Sequence, residues 1–184
     1  QDCAGEWGGD AVVDECDVCN GDGTSCLPNI ISLGAATDNS LEVLYSSSSD
    51  IAGFQFEVSG VNLLGASGGA AEESGFSVTV GTVVIGFSFS GDVIPAGEGL
   101  LTNLEIEVTD FDACLSNIVV SDPNAQALDF NSGSCVGLPC DDADSDSVCD
   151  NVDDCVGDYD CAGDCNGDAV VDECGTCDDD ASND

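Results

Sequence analysis

Between Asp142 and Asp153 the oxygen-bearing side chains fall in a register suited to one hard cation. With Asp142 as the first position, Asp144 is third, Asp146 fifth, Val148 seventh, Asp150 ninth and Asp153 twelfth. A divalent cation such as calcium takes about six to eight oxygens at roughly 2.4 Å, and alternate residues of a tight loop can aim theirs at one point. Val148 would serve through its backbone carbonyl, as the seventh residue of such a loop does. The register selects Asp142, Asp144, Asp146, Val148, Asp150 and Asp153 as candidate ligands, with calcium as the ion. Ser147 stands at the sixth position, where glycine usually makes the sharp turn. Asp153 stands where a longer glutamate usually chelates with both oxygens.

Two further stretches carry part of the pattern. Counting from Asp164, the third, fifth and ninth positions are Asn166, Asp168 and Asp172, and Gly175 leaves the twelfth without a side chain. Counting from Glu6, the fifth, ninth and twelfth are Asp10, Asp14 and Asp17, and Gly8 leaves the third without one. Each stretch reads either as a calcium site or as a disulfide knot with acidic turns. Both lie in copies of one module. Gly-Asp-Ala-Val-Val-Asp-Glu-Cys runs from Gly9 to Cys16 and again from Gly167 to Cys174. Asp2-Cys3-Ala4-Gly5 matches Asp160-Cys161-Ala162-Gly163, Cys19 matches Cys177, and only Cys26 lacks a counterpart. Internal repeats decide the architecture, so the duplication is read before anything else.

The chain has 38 acidic residues and no Lys, Arg or His. Ordinary chains are about 25% charged, with both signs present. The missing bases remove imidazole acid–base chemistry, Schiff bases and phosphate clamps. Nucleic acid is excluded as a direct partner, because nothing neutralises its phosphates, and an anionic membrane surface is disfavoured for the same reason. No apolar run approaches the roughly 20 residues of a membrane span. The natural partner of this charge is a divalent cation. Thirteen cysteines at this density read as a disulfide framework in an exported protein. Zinc is the competing reading for Cys16-Asp17-Val18-Cys19 and Cys174-Gly175-Thr176-Cys177, yet no His assists and other cysteines suffice to pair them. With no initiator Met and no leader pattern, the chain reads as processed or as a piece of something longer.

Three segments must position these groups. Residues 1–26 form a small acidic module in which Trp7 and Val12-Val13 cannot make a core alone, so disulfides and cations must hold it. Residues 140–184 form the second, calcium-loop module. Between them, residues 27–139 predict strands over Ile30–Leu33, Leu41–Tyr45, Gly53–Val58, Phe76–Val80, Thr82–Phe89, Leu100–Val108, Ile118–Ser121 and Ala127–Phe130. Phe54, Phe56 and Val58 alternate with Gln55 and Glu57, and Leu104, Ile106 and Val108 with Glu105 and Glu107, the signature of half-buried strands. Val83-Val84-Ile85 is apolar throughout and predicts a central strand. No stretch has a helical period. Short strands at this spacing predict an antiparallel β-sandwich, with Cys114 and Cys135 paired across its last strands.

Resemblances add to this reading. Asp-x-Asp-x-Asp-x-x-x-Asp-x-x-Asp-x-Cys, from Asp142 to Cys155, resembles the type 3 repeats of thrombospondin, and that resemblance implies calcium at Asp142, Asp144, Asp146, Asp150 and Asp153. The loop from Asp164 resembles half of a dockerin-type calcium loop. Ile51-Ala-Gly-Phe-Gln-Phe-Glu-Val with Val61-Asn-Leu-Leu-Gly, then Val83-Val-Ile-Gly-Phe-Ser-Phe-Ser, Pro95 and Leu100–Val108, resemble the strands of cohesin domains. That implies a jelly-roll sandwich that binds partner modules outside the cell. The duplicated module itself is similar to cysteine-rich calcium repeats of secreted bacterial surface proteins. The expected function is an extracellular structural subunit at the cell surface, assembling head to tail with other copies into a filament. The alternative is an adhesion or scaffold module that binds a protein or glycan through its sandwich. An enzyme is not expected, since nothing marks a catalytic pair among the carboxylates.

Overall fold

Leu41, Val43, Tyr45 and Ser47 are buried while Ser40, Glu42, Leu44 and Ser46 between them are only half-buried. That alternation, repeated along most long strands, gives each sheet one inner face. The computed structural model describes residues 1–172 and 175–178. In chain order its elements are β1 (Ile30–Thr37), β2 (Ser40–Ser47), β3 (Gly53–Ser59), β4 (Val61–Ser67), a one-turn α1 (Gly69–Glu73), β5 (Ser77–Thr79) and β6 (Val84–Phe87). Then come β7 (Gly97–Val108), β8 (Asp112–Ser121), β9 (Ala127–Leu128), β10 (Asn131–Ser132), β11 (Val136–Gly137), β12 (Val170–Val171) and β13 (Cys177–Asp178).

One sheet orders β10-β1-β2-β7-β4, and the other β11-β8-β3-β6-β5 with β9 against β8. The pairings are antiparallel except that of β1 with β10, where Ile30 faces Asn131. The inner faces meet in one core. Ile31, Leu41, Val43, Leu104 and Ile106 come from the first sheet, and Phe54, Phe56, Val84, Leu115 and Val120 from the second. Phe54 stacks between Phe56 and Phe76, each 6.0 Å away between ring centres. Buried Thr102 keeps a partner by donating to the Ser67 carbonyl at 3.3 Å.

The sandwich is all-β and antiparallel as the alternation predicts, and the differences have local causes. β4 escapes the period-two reading because its register shifts between Leu63 and Gly65. β8 begins at Asp112, well before Ile118, because a register shift opposite Gln55–Glu57 hides the alternation, with Asn117 at φ 51°. The stretch expected as Ala127–Phe130 pairs over Ala127–Leu128 alone. α1 is too short to show a period. The expected central strand lies next to the edge strand β5, so Val84 is buried while Ile85 is 40% exposed.

Gly86, in β6, lies under the Phe54 ring, where an added Cβ would come within 2.1 Å of the ring. Gly86→Ala should overpack this contact and cost about 1–3 kcal/mol. The measurement is a lower urea midpoint at unchanged m-value.

Candidate functional site

The acidic loop is closed at its base by the Cys140–Cys149 disulfide. Cys149 is 1% exposed within the sandwich core, and Cys140 packs against the same core. Asn151 donates its side-chain amide to the carbonyl of Val108, the last residue of β7, at 2.6 Å. The loop is therefore seated on the sandwich. Within it, one carboxylate oxygen each from Asp142, Asp144 and Asp146 lies within 4.8 Å of the others. Among the described residues this is the only such group of three metal-binding side chains.

Backbone amides hold the cluster. Asp142 accepts from Asp146 N and Ser147 N at 3.2 Å, and Asp146 accepts from Val148 N at 2.8 Å. Asp144 accepts from Gly157 N at 2.7 Å, and this bond leads the causes that hold its carboxyl below the ordinary aspartate value. Ser147 has φ 74°, the left-handed conformation that the sixth position of a calcium loop requires. The structure thus brings together the first, third and fifth positions. Asp150 turns instead to Ala143 N at 2.8 Å. Asp153 gives one oxygen to Cys155 N at 2.8 Å, while its other oxygen is buried with no hydrogen-bond partner. Val148 is exposed, and its N–H is the group held to Asp146.

The duplicated modules are built differently. Asp2, Asp14, Asp160 and Asp172 each start a hairpin loop in which the residue three on donates to the Asp carbonyl and the Asp N–H donates to the carbonyl four on. The residue three on has positive φ in every case: Gly5 87°, Asp17 61°, Gly163 86° and Gly175 82°. Each turn ends on a left-handed residue, a position that hairpin loops commonly use. The Asp side chain caps it. Asp14 accepts from Val18 N and Cys16 N on one oxygen and from Gly23 N on the other. Asp160 accepts from Asp164 N and Ala162 N on one and from Ala169 N on the other. Asp2 and Asp172 accept from Glu6 N and Thr176 N in the same way.

These carboxylates explain a glycine. An added Cβ at Gly9, Gly21 or Gly167 would meet the carboxylate of Asp2, Asp14 or Asp160 at 2.0–2.1 Å. The module therefore has an inner period of twelve residues, Asp2 to Asp14 and Asp160 to Asp172, with glycine seven residues after Asp2, Asp14 and Asp160. That signal stood in the sequence, but the alternate-residue ligand register crosses it and was read in its place. Asp14 and Asp172, candidate ligands on that register, hold backbone amides. Glu6, Asp10, Asp17, Asp164, Asn166 and Asp168 are exposed, and Asn166 donates to Val156 O at 3.3 Å. No group of three metal-binding side chains forms in either copy among the described residues.

The disulfides repeat with the hairpins. Cys3–Cys19 and Cys161–Cys177 are the same bond in the two copies, while Cys16–Cys26 and Cys155–Cys165 close loops of equal length. Cys114–Cys135 ties β8 to the segment before β11, as expected. Cys16 and Cys19 of the first C-x-x-C are both oxidised, which removes them as zinc ligands. In the second, Cys177 is oxidised and Cys174 lies outside the described residues.

A third feature escaped the sequence reading. On the outward face of β8, β3 and β6, Ile85, Phe87 and Val119 are 40%, 37% and 49% exposed. Beside them Phe89, 83% exposed, meets Phe87 edge-on with ring centres 4.7 Å apart. Gly53, Gly86 and Ser121 are among the residues that line this shallow depression. The alternation Ile85, Phe87, Phe89 was legible as a second apolar face once Val84 was assigned to the core.

No protein-family model and no curated protein matches the chain. Among solved structures the sandwich is similar to cohesins. One is a non-cellulosomal cohesin from Archaeoglobus fulgidus, at 15% identity and TM-score 0.46, covering 61% of this chain and 91% of that one. Another is a type I cohesin–dockerin complex from Clostridium thermocellum, at 11% identity and TM-score 0.45, covering 61% and 92%. A third is a cohesin of Acetivibrio cellulolyticus scaffoldin B in complex with a dockerin, at 9% identity and TM-score 0.43, covering 60% and 97%. At this distance the function has to be read from the chain's own surfaces.

Two outcomes test the local geometry. Ser147→Gly should relieve the left-handed strain and stabilise the protein by about 0.5–1 kcal/mol, measured by thermal unfolding. Asp14 and Asp160 have carboxyls held below their ordinary value, chiefly by the amides of Val18 and Asp164. A depressed folded-state value stabilises the hairpins above the ordinary value of about 3.9 and loses that contribution as pH falls through the folded value. Carboxyl titration by NMR should give midpoints below about 3.9 for both. Amide protection at Val18, Gly23, Asp164 and Ala169 should fall with them, and ordinary midpoints would contradict the caps.

Proposed function

We propose that the chain is an extracellular, non-catalytic structural protein in which the sandwich is a spacer and the two terminal modules are connectors that join copies head to tail. The observation that carries this reading is the common construction of the two ends. The same capped hairpins and the same Cys3–Cys19 and Cys161–Cys177 bonds recur 158 residues apart, so one chain presents related surfaces at both ends. A heterologous contact that repeats without closing builds a filament. Six disulfides suit an oxidising, extracellular compartment. No helix among the described residues is long and apolar enough to cross a membrane.

Calcium is part of the proposal. Three carboxylates within 4.8 Å repel one another, and the chain has no cationic side chain to separate them. Like charges about 4 Å apart cost roughly 1 kcal/mol per pair in water and about 4 near a protein surface. A divalent cation at Asp142, Asp144 and Asp146, with the unpartnered oxygen of Asp153 close by in sequence, reverses that sign. Asp150 and Asp153 would complete the set by turning inward.

A second reading has its own observation. The exposed patch of Ile85, Phe87, Phe89 and Val119 suits a protein partner better than water, which favours a scaffold module that docks another protein on this sheet.

Four measurements bear on these readings. Saturating calcium should raise the melting temperature, by the equivalent of about 2.7 kcal/mol at a hundredfold excess over Kd. Asp142→Asn with Asp146→Asn should weaken calcium about tenfold or more, since affinity follows ligand charge; an unchanged melting curve with no bound calcium by elemental analysis would remove the ion from the reading. Electron microscopy of the protein with calcium should show filaments that shorten when calcium is chelated and reductant added. Dispersed particles at high concentration with calcium present would end the filament reading. Ile85→Glu with Val119→Glu should leave filaments intact, because the terminal modules make the junction. Loss of filaments in that variant would move the junction to the sheet.

A further inference from the structure

The sheet β10-β1-β2-β7-β4 has its own outward face, used by neither reading above. Two cross-strand rows form its upper half: Ile30, Ser46 and Glu98, then Ser32, Leu44 and Leu100. Ile30, Leu44 and Leu100 line a groove of ≈ 490 Å³, with Ser32, Ser46 and Glu98 along it. Gly99 lies in its wall, and no atom stands within 4 Å of where its side chain would be. The Ser46 hydroxyl is buried in the same wall without a hydrogen-bond partner. Lower on the sheet the character changes. Glu42 follows Leu44 on the same side of β2, and β7 continues with exposed Glu105 and Glu107. Glu107 accepts from Asn62 at 3.0 Å and Glu42 from Ala35 N at 3.1 Å, but no cationic side chain reaches any of them.

The groove is apolar at one end and bordered by carboxylates at its mouth and below. A second copy of this chain has no lysine, arginine or histidine to meet them. A glycan would find no exposed aromatic ring, because Tyr45 is turned into the core. A bare cation has no use for an apolar floor. The complement is an extended protein segment that carries apolar and basic side chains together on one face, at every second position. We propose that this face docks an extended basic segment of another protein, with leucine-like side chains in the Ile30–Leu44–Leu100 groove and lysine or arginine beside Glu98 and Glu42. Side chains two apart on an extended partner face the same way, so one face of the segment can present both kinds to the sheet.

The probe is a short peptide with leucine and lysine at successive odd positions and serine at the even ones, titrated by calorimetry at physiological salt against the intact chain. Peptides of the same pattern with glutamate in place of lysine, or with serine in place of leucine, are the controls. The lysine–leucine peptide should bind, and both controls should fail. Leu44→Ser should weaken it about tenfold, the scale of one buried leucine. Glu98→Lys, at an exposed rim position that leaves folding untouched, should weaken it a few-fold. Glu57→Gln, on the opposite sheet, should change nothing. Equal binding of the lysine–serine peptide would reduce the effect to bulk charge and overturn the proposal. So would loss of binding in Ile85→Glu, which would place the site on the other sheet.

Discussion

Every carboxylate in this chain must find its partners among backbone amides, hydroxyls, water and ions, because no side chain carries positive charge. That constraint shapes the local structure wherever acids are dense. The recurrent solution is the capped hairpin, in which one aspartate collects up to three N–H groups that would otherwise face only solvent. It occurs at Asp2, Asp14, Asp160 and Asp172, and a fifth time in the sandwich. There Asp122 accepts from Gln126 N at 2.7 Å and Asn124 N at 2.9 Å, joining β8 to β9. The amide dipoles spread the negative charge and hold the Asp122 carboxyl below its usual value, chiefly through Gln126. The acidic loop is where the solution runs short. Its carboxylates also gather amides, yet three of them still crowd together and one oxygen of Asp153 has no donor.

The fold was readable where one periodicity acts alone. Along Leu41–Tyr45 and Leu104–Val108 each side chain has one role, inward or outward, and the alternation states it. It fails where the backbone steps out of register, as at Leu63–Gly65 in β4 and opposite Gln55–Glu57 in β8, because one extra residue exchanges the two faces. It also fails where both faces are apolar. Val84-Ile85 looked like a strand buried on two sides, and only the neighbour order shows which side is open.

The candidate site was legible in part for a related reason. Aspartates at alternate positions satisfy a cation loop and a turn alike. Asp142, Asp144 and Asp146 converge, whereas Asp14 and Asp172 share the spacing and point at amides. Asp172 lacks a further mark, whereas at Asp2, Asp14 and Asp160 a glycine seven residues on marks the cap, as at Gly21 after Asp14. A side chain there would fill the space that the carboxylate takes. The pairing of Cys3 with Cys19 and of Cys16 with Cys26 could not come from spacing, because four cysteines allow three connectivities.

The interleaved disulfides have a mechanical meaning. A pull along the chain follows the shortest covalent route. In the first module that route crosses from Cys3 to Cys19, steps back to Cys16 and crosses to Cys26. Beyond the sandwich it crosses from Cys140 to Cys149, and from Cys155 to Cys165, then steps back to Cys161 and crosses to Cys177. The loop of Asp142, Asp144 and Asp146 hangs off this route, whereas the two steps back run through the capped turns of Asp14 and Asp160. Tension on the ends can lengthen these modules only by straightening the few residues between one bond and the next. The acidic loop is thereby shielded from load, and the extensible element of the molecule is the sandwich.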